Sequence, residues 1–256
     1  MMNKEIEDAI SVSNRAQRNY DRTKPIKPED LETMIHACKY APSKQNETHY
    51  KVLVIQDEDL IYKIYKKTNH FTLYTSIDDL DWSGRGINEK FNITNSQVLA
   101  KVVFAFCDDW DHNRTRAGVH LKSFAETPDP GTIIEREKQR HFSMGTASGM
   151  VALSATLLGY KTGFCTAFHP RDVEPHNGLH GYPGLGLSNI LEELKNCEIL
   201  LGVGHGDPNK NRREHAELLN KDIPVHPNGE TSWSGEPDEK WIFMTMGEKK
   251  IDLKII

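Results

Sequence analysis

The segment over 147–158 (ASGMVALSATLL) constrains the fold more than any other part of this 256-residue chain. It forms the second half of a helix predicted over 135–158, and its residues are small or apolar on nearly every side. A helix that is apolar all round is buried, either in a large core or at a subunit interface. The sequence therefore predicts a long buried helix, ended by Gly159, against which the other elements pack.

Shorter apolar patterns predict the elements that surround this helix. Apolar residues at helical spacing predict helices over 4–18, 28–41, 57–67 and 188–195. Apolar runs rich in β-branched and aromatic residues predict strands over 50–56, 101–107, 160–166 and 198–203. No pattern predicts structure over 68–92 or 108–134. Because helices and strands mix without strict alternation, we expect an α+β fold rather than a regular doubly wound sheet.

The simplest division of the chain is a domain over 1–213 followed by a C-terminal extension over 214–256. A helix to about residue 220 and a strand over 240–245 are predicted in this extension. It also contains the aromatic residues Trp233, Trp241 and Phe243, which have to pack against something. We expect it to pack on the same domain or on a partner subunit.

Charge and composition exclude several classes of protein. The chain has 37 acidic and 32 basic residues, and its net charge of −5 argues against a nucleic-acid-binding protein. It contains no run of about 18 apolar residues, so we expect no transmembrane helix. The charged first residues lack the apolar core of a signal peptide.

The cysteines and histidines bear on the compartment and on metals. The four cysteines lie far apart in apolar settings, so we expect free thiols in a reducing compartment, the cytoplasm. The 12 histidines include a group at 169, 176, 180 and 205, but neither HExxH nor a Cys/His ligand spacing occurs. We therefore predict no metal site.

Four short stretches could bind a polar or flat ligand. Arg15 and Arg18 lie three residues apart at a predicted helix end, and guanidinium groups suit phosphate. The turn over 41–46 (APSKQN) is rich in hydrogen-bond donors, and 209–213 (NKNRR) is a basic cluster after a strand. The small residues of 163–168 (GFCTAF) would let a flat ring approach the backbone. Each stretch has an ordinary alternative as a solvated helix face, a turn, a solvated loop or a strand end.

The order of these stretches resembles the nitroreductase family, FMN-dependent flavoproteins that work as dimers. The resemblance rests on 15–20 (RAQRNY), 41–46 (APSKQN), Leu158-Gly159 before a strand, and 201–204 (LGVG) before Lys210 and Arg212. It covers roughly residues 6–213. Two positions depart from the family pattern, since Ala16 replaces a serine and Thr48 replaces a glutamine.

The resemblance implies a nitroreductase-like fold with a central mixed or antiparallel sheet flanked by helices, and the long helix at a homodimer interface. It implies hydride transfer from NAD(P)H through FMN to a nitro compound, quinone or related small acceptor in a ping-pong scheme, with no catalytic side chain. The implied cofactor-binding residues are Arg15, Ala16, Arg18, Pro42, Ser43, Asn46, Asn95, Gln97, Cys165, Thr166, Ala167, Lys210 and Arg212.

The resemblance also implies which part of the cofactor most of these residues would contact. The four basic residues would neutralise the phosphate, and Ser43 and Asn46 would bind the phosphate or the ribityl chain. Asn95 and Gln97 would touch the flavin ring. The backbone N–H of Thr166 or Ala167 would donate to flavin N5.

Two alternatives to a general nitroreductase stay open. The first is a specialised family member, such as a reductive dehalogenase or a flavin-consuming enzyme, with 68–92 or 108–134 as a selective lid. The second is a non-redox binding protein that has kept the fold and lost the flavin, which the changes at Ala16 and Thr48 motivate.

Overall fold

A computed structural model of the chain describes residues 3–13, 16–43, 50–68, 71–73, 91–93, 95–109, 130–172 and 184–208. The helices are α1 (Lys4–Ser13), α2 (Pro28–Lys39), α3 (Glu58–Lys66) and α4 (Pro130–Leu157). The strands are β1 (Tyr50–Ile55), β2 (Phe71–Leu73), β3 (Phe91–Ile93), β4 (Val102–Asp108), β5 (Lys161–Cys165) and β6 (Cys197–Gly204). Short 3₁₀ helices span Ser96–Val98, Leu187–Asn189 and Glu192–Asn196. The α+β prediction is confirmed.

The central sheet has four antiparallel strands in the order β1-β4-β6-β5, and β2 pairs with β3 in a separate two-stranded sheet. The register between β4 and β6 shifts once: Phe106 pairs with Ile199, but Cys107 pairs with Cys197. Glu198 is therefore the extra residue of a β-bulge, which leaves the ladder locally unpaired at that position.

Alternating side chains of the central strands feed two hydrophobic cores, one on each face of the sheet. Val102, Phe104 and Phe106 of β4 belong to the core beneath α2 and α4. The intervening residues Val103 and Ala105 belong to the core beneath α3 and the 3₁₀ helices. Because both faces are covered, β4 is apolar along almost its whole length rather than alternating, which is what made the strand visible in the sequence.

Helix α4 begins at Pro130, five residues before its predicted start, and it is buried along one face only. Met144, Ala147 and Val151 pack fully buried against the sheet. On the opposite face Phe142 is 64% exposed and Leu157 is 46% exposed. The predicted helix is confirmed, but this chain covers only one of its sides. None of the described helices is long and apolar enough to cross a membrane.

The structure differs from the sequence predictions in three further places. Helix α1 ends at Ser13 rather than at 18, because the chain over 16–20 is extended and the Gln17 N–H donates to Thr162 O of β5 at 2.8 Å. Two 3₁₀ helices replace the single helix predicted over 188–195. The strands β2 and β3 lie within 68–92 or at its edge, where no structure was predicted. The elements predicted beyond residue 208 lie outside the described residues.

Two paired glycines let the turn at Ser96–Val98 lie directly on the sheet. Gly163 of β5 pairs with Gly202 of β6. A Cβ at Gly163 would stand 2.6 Å from both Gln17 O and Gln97 Cβ, and one at Gly202 would collide with Gln97 O. Neither strand can therefore carry a side chain at this point, and the turn occupies the space.

Gly202→Ala should lower the free energy of unfolding by about 3 kcal/mol, because the new methyl group meets a backbone carbonyl that cannot rotate away. Urea denaturation measures the change. Gly206→Ala is the matched control, since its Cβ would meet side-chain atoms rather than backbone, Lys161 Cγ at 3.2 Å and Gln17 Nε2 at 3.4 Å. Equal effects of the two substitutions would contradict the packing argument.

Candidate functional site

Three of the predicted site residues form one hydrogen-bonded chain. Arg18 Nη1 donates to Gln97 Oε1 at 2.7 Å, and Gln97 Nε2 donates to Asn95 Oδ1 at 3.2 Å. Both amide side chains are buried, whereas Arg18 is half-buried. This contact orients the Arg18 guanidinium beside the two amides.

Hydrogen bonds with Thr68 and Tyr20 hold the turn that carries Asn95 and Gln97. The Asn95 N–H donates to Thr68 Oγ1 at 2.8 Å, and the Thr68 hydroxyl donates to Tyr65 O at 2.8 Å. The Tyr20 hydroxyl lies 3.3 Å from Gln97 O and 3.3 Å from Gly202 O. Burial raises the pKa of Tyr20, against the opposing charge of Arg18, so the hydroxyl stays a neutral donor.

Hydrogen bonds to β5 on one side and to the residues after β6 on the other hold the extended segment over 16–20 at the site. The Gln17 N–H bonds to β5, and its side-chain amide donates to Asn19 O. On the other side Tyr20 forms a β-bridge with Gly206, and the Asp207 N–H donates to Asn19 O at 3.1 Å. The position of Arg18 is thus fixed by backbone hydrogen bonds rather than by a free helix end.

The end of β5 supplies the next part of the site. Cys165 is 2% exposed, Thr166 is exposed and Ala167 is half-buried. The pKa of Cys165 rises to about 11, because burial outweighs the hydrogen bond from the Ala167 N–H and the nearby charge of Arg18. A thiol with that pKa is neutral at pH 7, so Cys165 is no nucleophile here.

The structure therefore brings together Arg18, Asn95, Gln97, Cys165 and Ala167, which lie in three separate parts of the sequence. Ala16 is half-exposed one residue before Gln17. Beyond the end of α2, Pro42 is exposed and Ser43 is half-buried, and none of the contacts above reaches them. Outside the described residues lie Arg15, Asn46, Lys210 and Arg212.

Sequence reasoning missed Thr68 and Tyr20 in this arrangement, and it did not foresee the role of the two paired glycines. Thr68 carried no signal, and Tyr20 was noted only as the aromatic end of 15–20. Gly163 was expected to admit a flat ring, yet its space is taken by Gln17 and Gln97 of the same chain. The partner glycine, Gly202, becomes informative only once the strand register is known. Over the part of the chain that the structure describes, no group of three or more His, Cys, Asp or Glu could hold a metal ion.

Comparison with known proteins agrees with this architecture. The sequence model of the Nitroreductase family matches residues 12–187, and the chain belongs to that family. No curated protein matches the sequence.

Solved structures show the same fold at low sequence identity. The hypothetical oxidoreductase YcnD from Bacillus subtilis is 19% identical with a TM-score of 0.53, over 89% of this chain and 77% of that one. NfrA2 from B. megaterium is 18% identical with a TM-score of 0.53, over 88% and 77%. A nitroreductase with bound FMN from Bacteroides fragilis is 15% identical with a TM-score of 0.50, over 88% and 100%.

A double-mutant cycle of Arg18→Met and Gln97→Leu should give a coupling energy of about 1.5 kcal/mol in unfolding free energy, because the half-buried hydrogen bond has a charged donor. The control cycle is Lys4 with Asp8, an ion pair 85% and 62% exposed, which should give about 0.5 kcal/mol or less. Coupling no larger than in the control would show that the Arg18–Gln97 contact is not a stabilising one.

Proposed function

We propose that the chain is an FMN-dependent oxidoreductase that uses NAD(P)H. Its membership of the Nitroreductase family supports an oxidoreductase. The FMN-bound nitroreductase from B. fragilis, which has the same fold, supports FMN as the cofactor. The structural observation that carries the proposal is the half-buried guanidinium of Arg18, held by Gln97 beside the end of β5.

The described residues fit an anionic, flat cofactor in three respects. Arg18 offers positive charge, which a phosphate or an electron-rich ring requires in a partly buried site. Asn95 and Gln97 place amide groups beside it. Thr166, which directly follows β5, is exposed, so this end of the strand is uncovered within the described chain.

The remaining assignments follow the family pattern. Arg15, Lys210 and Arg212 would join Arg18 in holding the phosphate, and Ser43 and Asn46 would hold the phosphate or the ribityl chain. Ala16 and Pro42 would line the site through their backbone.

The two candidate amides for flavin N5 differ in one contact. The Ala167 N–H is directed to the Cys165 thiol. We therefore assign the donor to the Thr166 N–H, and give Cys165 a packing role beneath the site.

The chemistry that FMN supplies when bound is transfer of a hydride from NAD(P)H to a nitro compound, quinone or related small acceptor, in a ping-pong scheme. The protein's own part is to bind, to orient and to stabilise negative charge. No side chain is needed as a general acid or base, so acceptor range would be broad. We place this activity in the cytoplasm, since Cys38, Cys107, Cys165 and Cys197 are all free thiols.

The visible spectrum of the purified protein tests the proposal. We expect a yellow protein whose supernatant after heat denaturation contains FMN. Arg15→Ala with Arg18→Ala should weaken FMN binding about 100-fold, because two charge-assisted contacts are lost. Arg22→Ala is the control, since Arg22 lies in the same segment but pairs with Glu58 at 3.5 Å.

Two results would count against the proposal. A colourless protein that takes up no added FMN would favour the non-redox binding protein instead. Unchanged FMN content in the Arg15→Ala, Arg18→Ala double variant would overturn the phosphate assignment alone.

We further propose a homodimer formed through the uncovered face of α4. Phe142 and Leu157 are exposed there, and so are Gly145 and Gly149. A Cβ at either glycine would meet nothing within 4 Å in this chain. Each glycine costs the helix about 1 kcal/mol relative to alanine, and close approach of a second backbone would account for that cost. The extension over 214–256 would pack on the same domain or on this partner.

Gly145→Leu with Gly149→Leu should convert the dimer to a monomer without unfolding it. Leucine favours the helix and meets open space in the chain, but it would hold a partner's backbone away. Sedimentation velocity measures the oligomeric state, and circular dichroism measures helix content. Lys63→Leu, at an exposed position of α3, controls for an added surface leucine. A variant as dimeric as the wild type would place the interface elsewhere.

A further inference from the structure

Lys51, Cys107 and Cys197 form a row across three strands of the central sheet. Lys51 of β1 pairs with Cys107 of β4, and Cys107 pairs with Cys197 of β6. Directly paired residues in antiparallel strands project from the same face, so an amine and two thiols are neighbours there. The site described above makes no use of this row.

The two thiols contact each other inside the core. Cys107 is fully buried and Cys197 is 2% exposed, and both are free. The Cys197 thiol donates to Ile199 O at 3.6 Å and the Cys107 thiol donates to Ala105 O at 3.8 Å. The contact between the two thiols lowers the pKa of Cys107 and raises the pKa of Cys197. Lys51 lowers the pKa of Cys107 further, against burial and the nearby carboxylates of Glu198 and Asp108. Because Lys51 is paired directly with Cys107 across the strands, its positive charge favours a thiolate at Cys107 over one at Cys197.

The pairing also suits a covalent bond between the sulfurs. Directly paired residues in antiparallel strands have Cα atoms about 4.5–5.5 Å apart, and disulfides span Cα distances of about 4.4–6.8 Å. The other two thiols lack such a partner in register. Cys165 pairs with Leu200, and Cys38 lies on α2.

We propose that Cys107 and Cys197 form a reversible oxidation site for hydrogen peroxide. The Cys107 thiolate attacks one peroxide oxygen, the O–O bond breaks, and after protonation the products are a Cys107 sulfenic acid and water. The Cys197 thiol then attacks the sulfenic sulfur, which forms the disulfide and releases a second water. One peroxide is reduced to two waters while two thiols are oxidised to one disulfide. A dithiol reductant reverses the change by thiol–disulfide exchange.

The position of the pair in the sheet provides access for so small an oxidant. Cys107 is the last residue but one of β4, and Cys197 is the first residue of β6, at the bulge. Strand ends and bulges open more readily than strand centres, and peroxide is close to water in size.

The same end is tied to α4, since Arg140 bonds Glu198 at 2.8 Å and Asp108 at 3.4 Å. The disulfide would link β4 to β6 beside the ion pairs of Arg140 with Glu198 and Asp108.

Peptide mapping of the whole, folded protein tests the proposal. Reduced protein is treated with a small excess of hydrogen peroxide at neutral pH, remaining thiols are alkylated, and the digest is analysed without reduction. We expect one disulfide-linked peptide pair, containing Cys107 and Cys197, that dithiothreitol removes. Cys38 and Cys165 should be alkylated throughout. The result does not depend on FMN, so it is informative even if no flavin binds.

Variants assign the role of each member of the row. Cys197→Ser should leave a sulfenic acid at Cys107, which dimedone traps when it is added together with urea after the peroxide has been removed, whereas Cys107→Ser should leave Cys197 unoxidised. Lys51→Met should slow disulfide formation about threefold or more, and Lys51→Arg should restore the rate, because both effects follow the positive charge. Cys38→Ser is the control and should behave as the wild type.

Two results would overturn the proposal, and the wild type alone can give both. In the first, all four thiols are still alkylated after peroxide treatment of the folded protein. In the second, the Cys107–Cys197 crosslink appears only after denaturation in urea, which would show that the folded sheet keeps peroxide out.

Discussion

The close approach of the Gln97 turn to the paired glycines Gly163 and Gly202 is the contact on which the candidate site depends. Any side chain at either glycine would push the turn off the sheet. With the turn seated, Gln97 O meets the Tyr20 hydroxyl and its side chain meets Arg18. The orientation of Arg18 is thus set by two neighbouring strands, β5 and β6, and sites built on strands hold their geometry better than sites built on loops.

The longest helix is used on only one side within a single chain. Its buried side fixes it to the sheet through Met144, Ala147 and Val151. Its other side combines an exposed Phe142 with glycines that no neighbour in the described chain requires. The sequence predicted burial on all sides of this helix. The sheet of the same chain buries one side, and a partner subunit in the proposed dimer would bury the other.

Local signals predicted much of the fold. Helix α2 followed from Pro28 with two acidic residues after it, and β4 followed from an uninterrupted apolar run. These features depend on residues close together in sequence, which is why they could be found there. The motif over 15–20 indicated Arg18 in the same way, whereas Asn95 and Gln97 were predicted only from the family resemblance.

Long-range pairing explains what the sequence did not predict. The early end of α1 depends on a hydrogen bond from Gln17 to Thr162, far along the chain. The pairing of Gly163 with Gly202 and of Cys107 with Cys197 depends on strand register. The bulge shifts that register by one residue, and no pattern in the sequence of β6 marks it.

The bulge at Glu198 shows how this sheet accommodates a buried cation. Arg140 is only 9% exposed, and a buried guanidinium needs a carboxylate nearby. Asp108, at the end of β4, supplies one carboxylate at 3.4 Å, and a second one at an ordinary position of β6 would have to replace an inward-facing apolar residue. Here the carboxylate belongs to Glu198, the extra residue between Cys197 and Ile199, and both of these neighbours keep their partners on β4. A single inserted residue has thus added a charge to the sheet without removing anything from either hydrophobic core.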